Sequence, residues 1–200
     1  DHGQAGERFA GGMCNNEYMW RPWHLEEELH PTNWAAKQVA RQIIRRDPTR
    51  PAFWYLSFSH PHPPLTPLRD YLDVYRNIDV PDACVGEWSG CAPENMAPAI
   101  HHEWVRQQGT GRRFTPAQVR DIRRAYYAQC THIDHQIRVV LGTLRQEGLA
   151  HNTIVCFMAD HGDMLGNHQF WAKHWMYEDS ARIPLVIAGT KSQSEDGPVG

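Results

Sequence analysis

Apolar positions fall into two patterns along the chain, and each predicts a different kind of element. From Thr115 to Gly148 they recur at spacings of three and four, through Val119, Ile122, Tyr126, Cys130, Ile133, Ile137, Val140 or Leu141, and Leu144. That period predicts one long amphipathic helix. Thr115-Pro116-Ala117-Gln118 supplies a capping box with proline at the first helical position. Gly148 is placed to end the helix, with Leu149 folding back onto it. An earlier helix is predicted from a cap at Thr32 or Asn33, with Trp34, Val39 and Ile43 on or near one face, ending before Asp47-Pro48.

The second pattern is the short continuous apolar run. Phe53 to Phe58 and Thr153 to Ala159 both lack polar alternation, as strands buried on both faces do. The first stops at Ser59-His60-Pro61-His62-Pro63-Pro64, where prolines forbid further sheet pairing. Ile183 to Ala188 is a third run, and Pro184 places it at an edge or starts it early. Strand, helix, strand, loop, strand predicts an α/β fold with a mainly parallel sheet. Residues 1–30 are glycine-rich, then aromatic and acidic, and read as irregular loop; residues 31–64 hold the first helix and strand. Residues 65–113, rich in proline, glycine and polar groups, read as a long functional loop or insertion. Residues 114–190 carry the long helix, a strand, a polar and aromatic loop over 163–182, and the last strand.

Composition narrows the class of molecule. The 200 residues, 41% hydrophobic, suffice for one domain with a real core. A net charge of −3 gives no electrostatic reason to expect nucleic acid or a membrane surface as partner. No apolar run approaches the roughly 20 residues that span a bilayer. Asp1-His2-Gly3-Gln4 resembles no targeting segment and lacks an initiator methionine, so a piece of a longer chain is expected. The five cysteines form no C-x-x-C pair, and their odd number argues against a complete disulfide framework and for a reducing, cytoplasmic setting over a periplasmic or secreted one. Cys130 and Cys156 read as small buried hydrophobes, and Cys84 and Cys91 are expected to stay unpaired.

Thirteen histidines raise the prior for metal or acid–base chemistry. In open α/β sheets ligands sit beyond the carboxyl ends of strands. Two predicted strands end in clusters, His60-Pro61-His62 and Asp160-His161-Gly162-Asp163. A carboxylate beside an imidazole offers oxygen and nitrogen to a divalent cation, and Gly162 lets the backbone turn away. On its own the second cluster is an ordinary polar turn. The nearby His168, Lys173 and His174 change that reading, because a lysine close to a metal implies an anion between them. A tetrahedral oxyanion ester fits. His132 and His135, at i and i+3 on the long helix, read as solvated or partner-facing rather than as ligands, and His101-His102 carry no more weight.

These residues resemble the sulfatase family of the alkaline-phosphatase-like superfamily. The resemblance lies in Asn152 to His168, in Lys173, and in Tyr177 through Pro184; Tyr126 to Asp134 and the segment Ser57 to Pro64 add to it. It covers about residues 31–190, and implies an alkaline-phosphatase-like α/β/α sandwich of which this chain is the C-terminal part. It implies metal ligation by Asp160 and His161, with Ca²⁺ expected first and Mn²⁺ or Zn²⁺ compatible. It implies that Lys173 contacts the ester's oxyanion and that His62 stands near the leaving-group oxygen as acid or hydrogen-bond donor. His168 matches a polar substrate contact of some members, while Glu178, Arg182 and Asp134 match scaffold positions, the first two as an ion pair.

Parts of the pattern are missing: the nucleophile with its partners, and the family's first two metal-binding aspartates. The family's nucleophile is a cysteine or serine in a Cys/Ser-x-Pro-x-Arg setting, oxidised to formylglycine and lying upstream of the histidine motif. Cys91-Ala92-Pro93-Glu94-Asn95 lacks the arginine and lies downstream of His62, so it is rejected. The implied function is hydrolysis of a small-molecule or glycan sulfate ester by the full-length protein, with these residues alone inactive. A phosphonate monoester or phosphodiester hydrolase is the alternative, toward which Asp-His rather than Asp-Asn leans slightly. A non-catalytic metal-binding or interaction module is the rival from another class. The substrate's alcohol would be read by residues 1–30 and 65–113.

Overall fold

The computed structural model describes residue 13 and residues 17–87, 114–173 and 176–189. In chain order these form α1 (Pro31–Ile44), α2 (Arg69–Tyr75), α3 (Pro116–Gln146), β1 (Val155–Met158), α4 (Glu178–Ala181) and β2 (Leu185–Ala188). Cys14, Cys91, His101, His102 and His174 lie outside the described residues.

α3 forms as its local signals predict. Thr115 Oγ1 accepts from Gln118 N at 3.3 Å, and Gln118 Oε1 accepts from Thr115 N at 2.9 Å. At the other end Gly148 takes φ +68°, where a Cβ would be strained, and Leu149 N closes onto Leu144 O at 2.8 Å. Leu149 then packs with Val39, Ile43 and Leu144, beside Trp54, Leu56 and Val155. A second cluster gathers Tyr18, Leu65, Ile122, Ala125, Trp171 and Ala172. Beside these clusters α3 buries polar groups instead of a plain apolar stripe: Arg123, Gln129 and His132.

α1 starts earlier than expected. His30, not Thr32 or Asn33, caps it: the ring Nδ1 accepts from Thr32 N at 3.2 Å, and Pro31 takes the first helical position. Its inward face is Ala36, Val39 and Ile43, at spacings of three and four, which turns Trp34 outward to 59% exposure. Within the segment read as long loop, α2 forms and packs on α3, its Tyr71 ring stacked on His132 at 4.8 Å. Seven residues make only two turns, too short for a clear periodic signal, which is why the surrounding composition hid this helix. Residues 88–113 lie outside the described part.

The first segment is likewise more ordered than a loop. Leu65 N donates to Met19 O and Arg21 N donates to Leu65 O, both at 3.0 Å, around a parallel bridge of Trp20 with Leu65. Tyr18 is thereby carried into the core.

The described sheet has two strands, β1 and β2, and they run antiparallel, Val155 facing Ala188 and Met158 facing Leu185. The parallel ladder expected between 53–58 and 153–159 is not found among the described residues. A parallel return requires a crossover, usually helical; among the described residues between β1 and β2 there are only the four-residue α4 and short turns. Segment 53–58 forms no strand among the described residues, with Trp54 and Leu56 packed inward and Phe53 and Tyr55 turned out. Contrary to expectation, β1 and β2 are exposed too, Cys156 included. Both faces are apolar, but among the described residues little covers them. Cys84, Cys130 and Cys156 are free thiols.

Candidate active site

Asp160 and His161 follow directly from β1. Asp160 Oδ1 accepts from His161 N at 3.1 Å, which turns Oδ2 toward His161 Nε2 at 3.6 Å. His161 Nδ1 is occupied by Gly162 O at 2.7 Å, so its proton sits there and Nε2 carries the lone pair. Gly162 is required by space rather than by a sharp turn. Its N donates to Ser180 O at 2.8 Å, and an added Cβ would stand 2.1 Å from Asp179 O. α4 thus lies hard against the metal-ligand candidates. The ion pair expected between Glu178 and Arg182 is not among those of the described residues; the two meet through Arg182 N to Glu178 O at 2.8 Å.

The chain then folds a tight loop back to Lys173. Met164 N donates to Ala172 O at 2.9 Å and Gly166 N to Phe170 O at 2.8 Å. Leu165, His168, Gln169 and Ala172 all take positive φ, between 45° and 64°. Four non-glycine residues in the left-handed region store strain that the surroundings must hold, as is common at functional sites.

Lys173 Nζ lies 3.1 Å from His62 Nε2. His62 Nδ1 bonds Pro63 O at 2.7 Å, so Nδ1 carries the proton and Nε2 accepts from the ammonium. Burial holds the His62 imidazole below its ordinary range; the Pro63 bond opposes this, the charges of Lys173 and His161 add to it, and Asp160 opposes it. The four candidates chosen from sequence therefore act on one another across 111 residues of chain.

Two further residues belong to this rim and were missed by sequence reasoning about roles. Asp163 is buried behind His161 and Lys173, accepts from Tyr18 Oη, and accepts from Leu165 N at 2.9 Å. Desolvation pushes its carboxyl above the usual range, while the Tyr18 bond, the Leu165 bond and the charges of His161 and Lys173 hold it back. Tyr18 also bonds the backbone of Ala172, so one phenol ties both ends of the lysine loop. Its own proton is held far more tightly than in water, chiefly by burial and by the neighbouring Asp163. The only local signal was Asp163 in the second strand-end cluster.

His168 makes its own contacts away from Lys173 and His62. Its N donates to Cys84 O at 2.6 Å, its Nδ1 accepts from Gly86 N at 3.4 Å, and its ring lies 4.9 Å from Tyr177. These bonds tie the loop to segment 84–86.

His132 and His135 are not solvated as expected. His132 is buried and bonded to Asn33 Oδ1, and Tyr71 Oη meets His135 Nδ1 at 3.0 Å. His132 and His60 each lie 4.7 Å from the His30 ring. Burial drives all three imidazoles down, His30 to about 4 and His60 and His132 to about 3, with mutual repulsion adding for the last two. Unfolded histidine protonates near 6.5, so between pH 6.5 and about 3 the unfolded chain binds more protons. Stability is then fully present above pH 6.5 and falls as pH drops through that window. Denaturant midpoints measured from pH 7 to pH 4 should fall, and His132→Gln should flatten the slope; an unchanged slope contradicts the buried neutral cluster.

As a metal site the residues fit in part. Asp160 Oδ2 and His161 Nε2 converge, and the bond from His161 Nδ1 fixes the tautomer a ligating imidazole needs. Among the described residues, no group of three or more histidine, cysteine, aspartate or glutamate side chains could complete the shell. Two donors are fewer than the four to eight that divalent cations take, so a cation held here would need further ligands. No helix among the described residues is long and apolar enough to cross a membrane.

A strand-end carboxylate and imidazole, a strained lysine loop and an opposing histidine thus meet at one rim of an α/β fold. The sulfatase family profile matches residues 3–198, and the chain belongs to the sulfatase family. The arylsulfatase of Clostridium perfringens is 39% identical over 183 residues, covering 88% of this chain and 35% of its own length. The choline-sulfatase of Rhizobium meliloti is 33% identical over 162 residues, covering 77% and 30%. Among solved structures, the phosphonate monoester hydrolase of Agrobacterium radiobacter superposes with a TM-score of 0.68 at 20% identity, over 88% of this chain and 36% of that one. The α/β alkaline-phosphatase-like class is thereby borne out. The chain spans about a third of the length of these relatives.

Proposed function

We propose that these residues form the metal- and leaving-group side of a sulfate-ester hydrolase, with the nucleophile and the remaining metal ligands supplied by parts of the protein outside them. The observation that carries this is the 3.1 Å contact of Lys173 with His62 at the rim where Asp160 and His161 converge. The exposed apolar faces of β1 and β2 support it, because burying them takes more sheet or covering layers than the described residues provide.

A cation held by Asp160 and His161 would supply Lewis acidity and orientation at the anion's oxygens. The chain's own residues do the rest. Lys173 turns its ammonium from His62 to a non-bridging oxygen of the sulfuryl group, where charge is concentrated in the transition state. The same anion raises the His62 imidazole back toward its ordinary range, because a nearby negative charge favours the protonated form. His62 Nε2–H then donates to the ester oxygen as the S–O bond breaks and its electron pair leaves with the alcohol. The nucleophile's oxygen forms the new bond to sulfur. Asp163 and Tyr18 hold the loop that aims Lys173. His168 has no part in this sequence.

Ca²⁺ is the expected cation, and formylglycine the expected nucleophile of the complete protein. The arylsulfatase relative supports sulfate over phosphonate as the substrate anion, and the substrate's alcohol remains a small molecule or a glycan. Rates of the complete protein on aryl sulfate and aryl phosphonate esters test this directly: faster turnover of the phosphonate would reverse the assignment. Asp160→Asn should weaken metal affinity by about 10- to 100-fold, since a neutral amide replaces a charged oxygen ligand. Elemental analysis after dialysis reads it, and wild-type metal content would remove Asp160 from the ligand set.

A further inference from the structure

We propose that His60 is a positioning residue for His62: a strap running Thr32 Oγ1–His60–Thr66 Oγ1 fixes the direction in which the His62 imidazole faces the leaving group. The inference rests on the reading of His62 given above. Both ring nitrogens of His60 are engaged, Nδ1 with Thr32 Oγ1 at 3.2 Å and Nε2 with Thr66 Oγ1 at 3.0 Å. The first bond anchors the ring to the opening turn of α1, and the second closes the segment 60–66 on itself, with His62 inside the closed turn. His62 N donates to Ser59 O at 3.1 Å, adding one more tie at the upstream end. The downstream end is held twice, by Leu65 N to Met19 O at 3.0 Å and by His30 Nε2 to Thr66 O at 3.1 Å.

Among the described residues, His62 has no such anchors of its own. Its side chain meets Pro63 O, a neighbour in sequence, and the flexible end of Lys173. When an anion draws the lysine away, only the backbone of segment 60–66 sets the aim of Nε2. General acid catalysis demands that aim within hydrogen-bond reach of the departing oxygen. A buried ring between two hydroxyls suits the task. A hydroxyl can donate or accept, so either tautomer of a neutral imidazole is satisfied, and burial keeps His60 neutral with its proton affinity pushed down to about 3. His60 is only 4% exposed and sits against His30, so it has no room to turn away.

The test uses the complete protein and a series of aryl esters running from 4-nitrophenol to unactivated phenol as leaving group. Poor leaving groups need the proton; good ones leave as anions. Thr66→Val keeps the shape and removes the hydroxyl, Thr32→Val does the same at the other end, and Thr66→Ser restores it. The valine variants should lose about tenfold in kcat on the phenyl ester and less than about twofold on the nitrophenyl ester, with Thr66→Ser close to wild type. Two valine variants at separate ends of the strap guard against one failing to fold, and thermal melting accompanies each. His62→Ala is run beside them. Selective loss in His62→Ala but uniform loss, or none, in both valine variants overturns the strap alone. Uniform loss in His62→Ala removes His62 from the leaving group, and the strap proposal falls with that reading.

Discussion

Replacing Lys173 by alanine in the complete protein should lower kcat by about 10²- to 10³-fold, the range seen when one preorganised donor to a developing oxyanion is removed. The lysine is half-buried and contributes charge, not core packing: its ammonium meets His62 Nε2 at 3.1 Å and its loop is held by other residues. Thermal stability should therefore stay close to wild type. Lys173→Arg should recover little, because the planar guanidinium does not fit a site built around a point charge. Steady-state rates on an aryl sulfate, with circular dichroism to verify folding, check this. Unchanged kinetics would take Lys173 out of the site.

The largest effect on stability should come from Arg123→Ala. This guanidinium is 4% exposed, on the third turn of α3. It donates to Leu165 O at 2.9 Å, Pro81 O at 2.7 Å, Asp82 O at 3.0 Å and Asn167 Oδ1 at 2.6 Å. One side chain thus joins the long helix, segment 81–82 and the strained loop that ends in Lys173. Hydrogen bonds to a charged group contribute more than neutral ones, and truncation leaves several acceptors unpaired, so a loss of about 3 kcal/mol is expected. Lysine should not rescue it, since a single ammonium cannot fork to both segments. Urea unfolding of the variant reads the loss; a midpoint within error of wild type would show that solvent satisfies those acceptors equally well. Activity should fall alongside, because Leu165 and Asn167 hold the lysine loop.

What sequence reveals here follows from the range of the interactions. The caps and the end of α3 were legible because a capping box and a left-handed glycine involve residues a few positions apart. His62, Asp160, His161 and Lys173 were legible because strand-end clusters and a family resemblance singled them out. Arg123 was not, since an arginine beside Ile122 on an amphipathic helix reads as the start of the solvent face. Only the loop packed over it makes that position buried. Tyr18 was hidden for a related reason. Its partner Asp163 lies 145 residues away, and an aromatic in an irregular N-terminal stretch carries no periodicity. His132 shows the same limit, its i, i+3 spacing with His135 being equally compatible with solvent or with the Tyr71 stack. The runs forming β1 and β2 predicted strands, whereas strand direction depends on partners that an apolar run does not specify.

The most direct test of the central claim is a crystal structure of the complete protein with a divalent cation and a slowly hydrolysed sulfate ester. The cation should bind Asp160 Oδ2 and His161 Nε2, and one tetrahedral anion should bond both Lys173 Nζ and His62 Nε2. A cation bound elsewhere, or an anion out of reach of Lys173 and His62, would contradict the site described here.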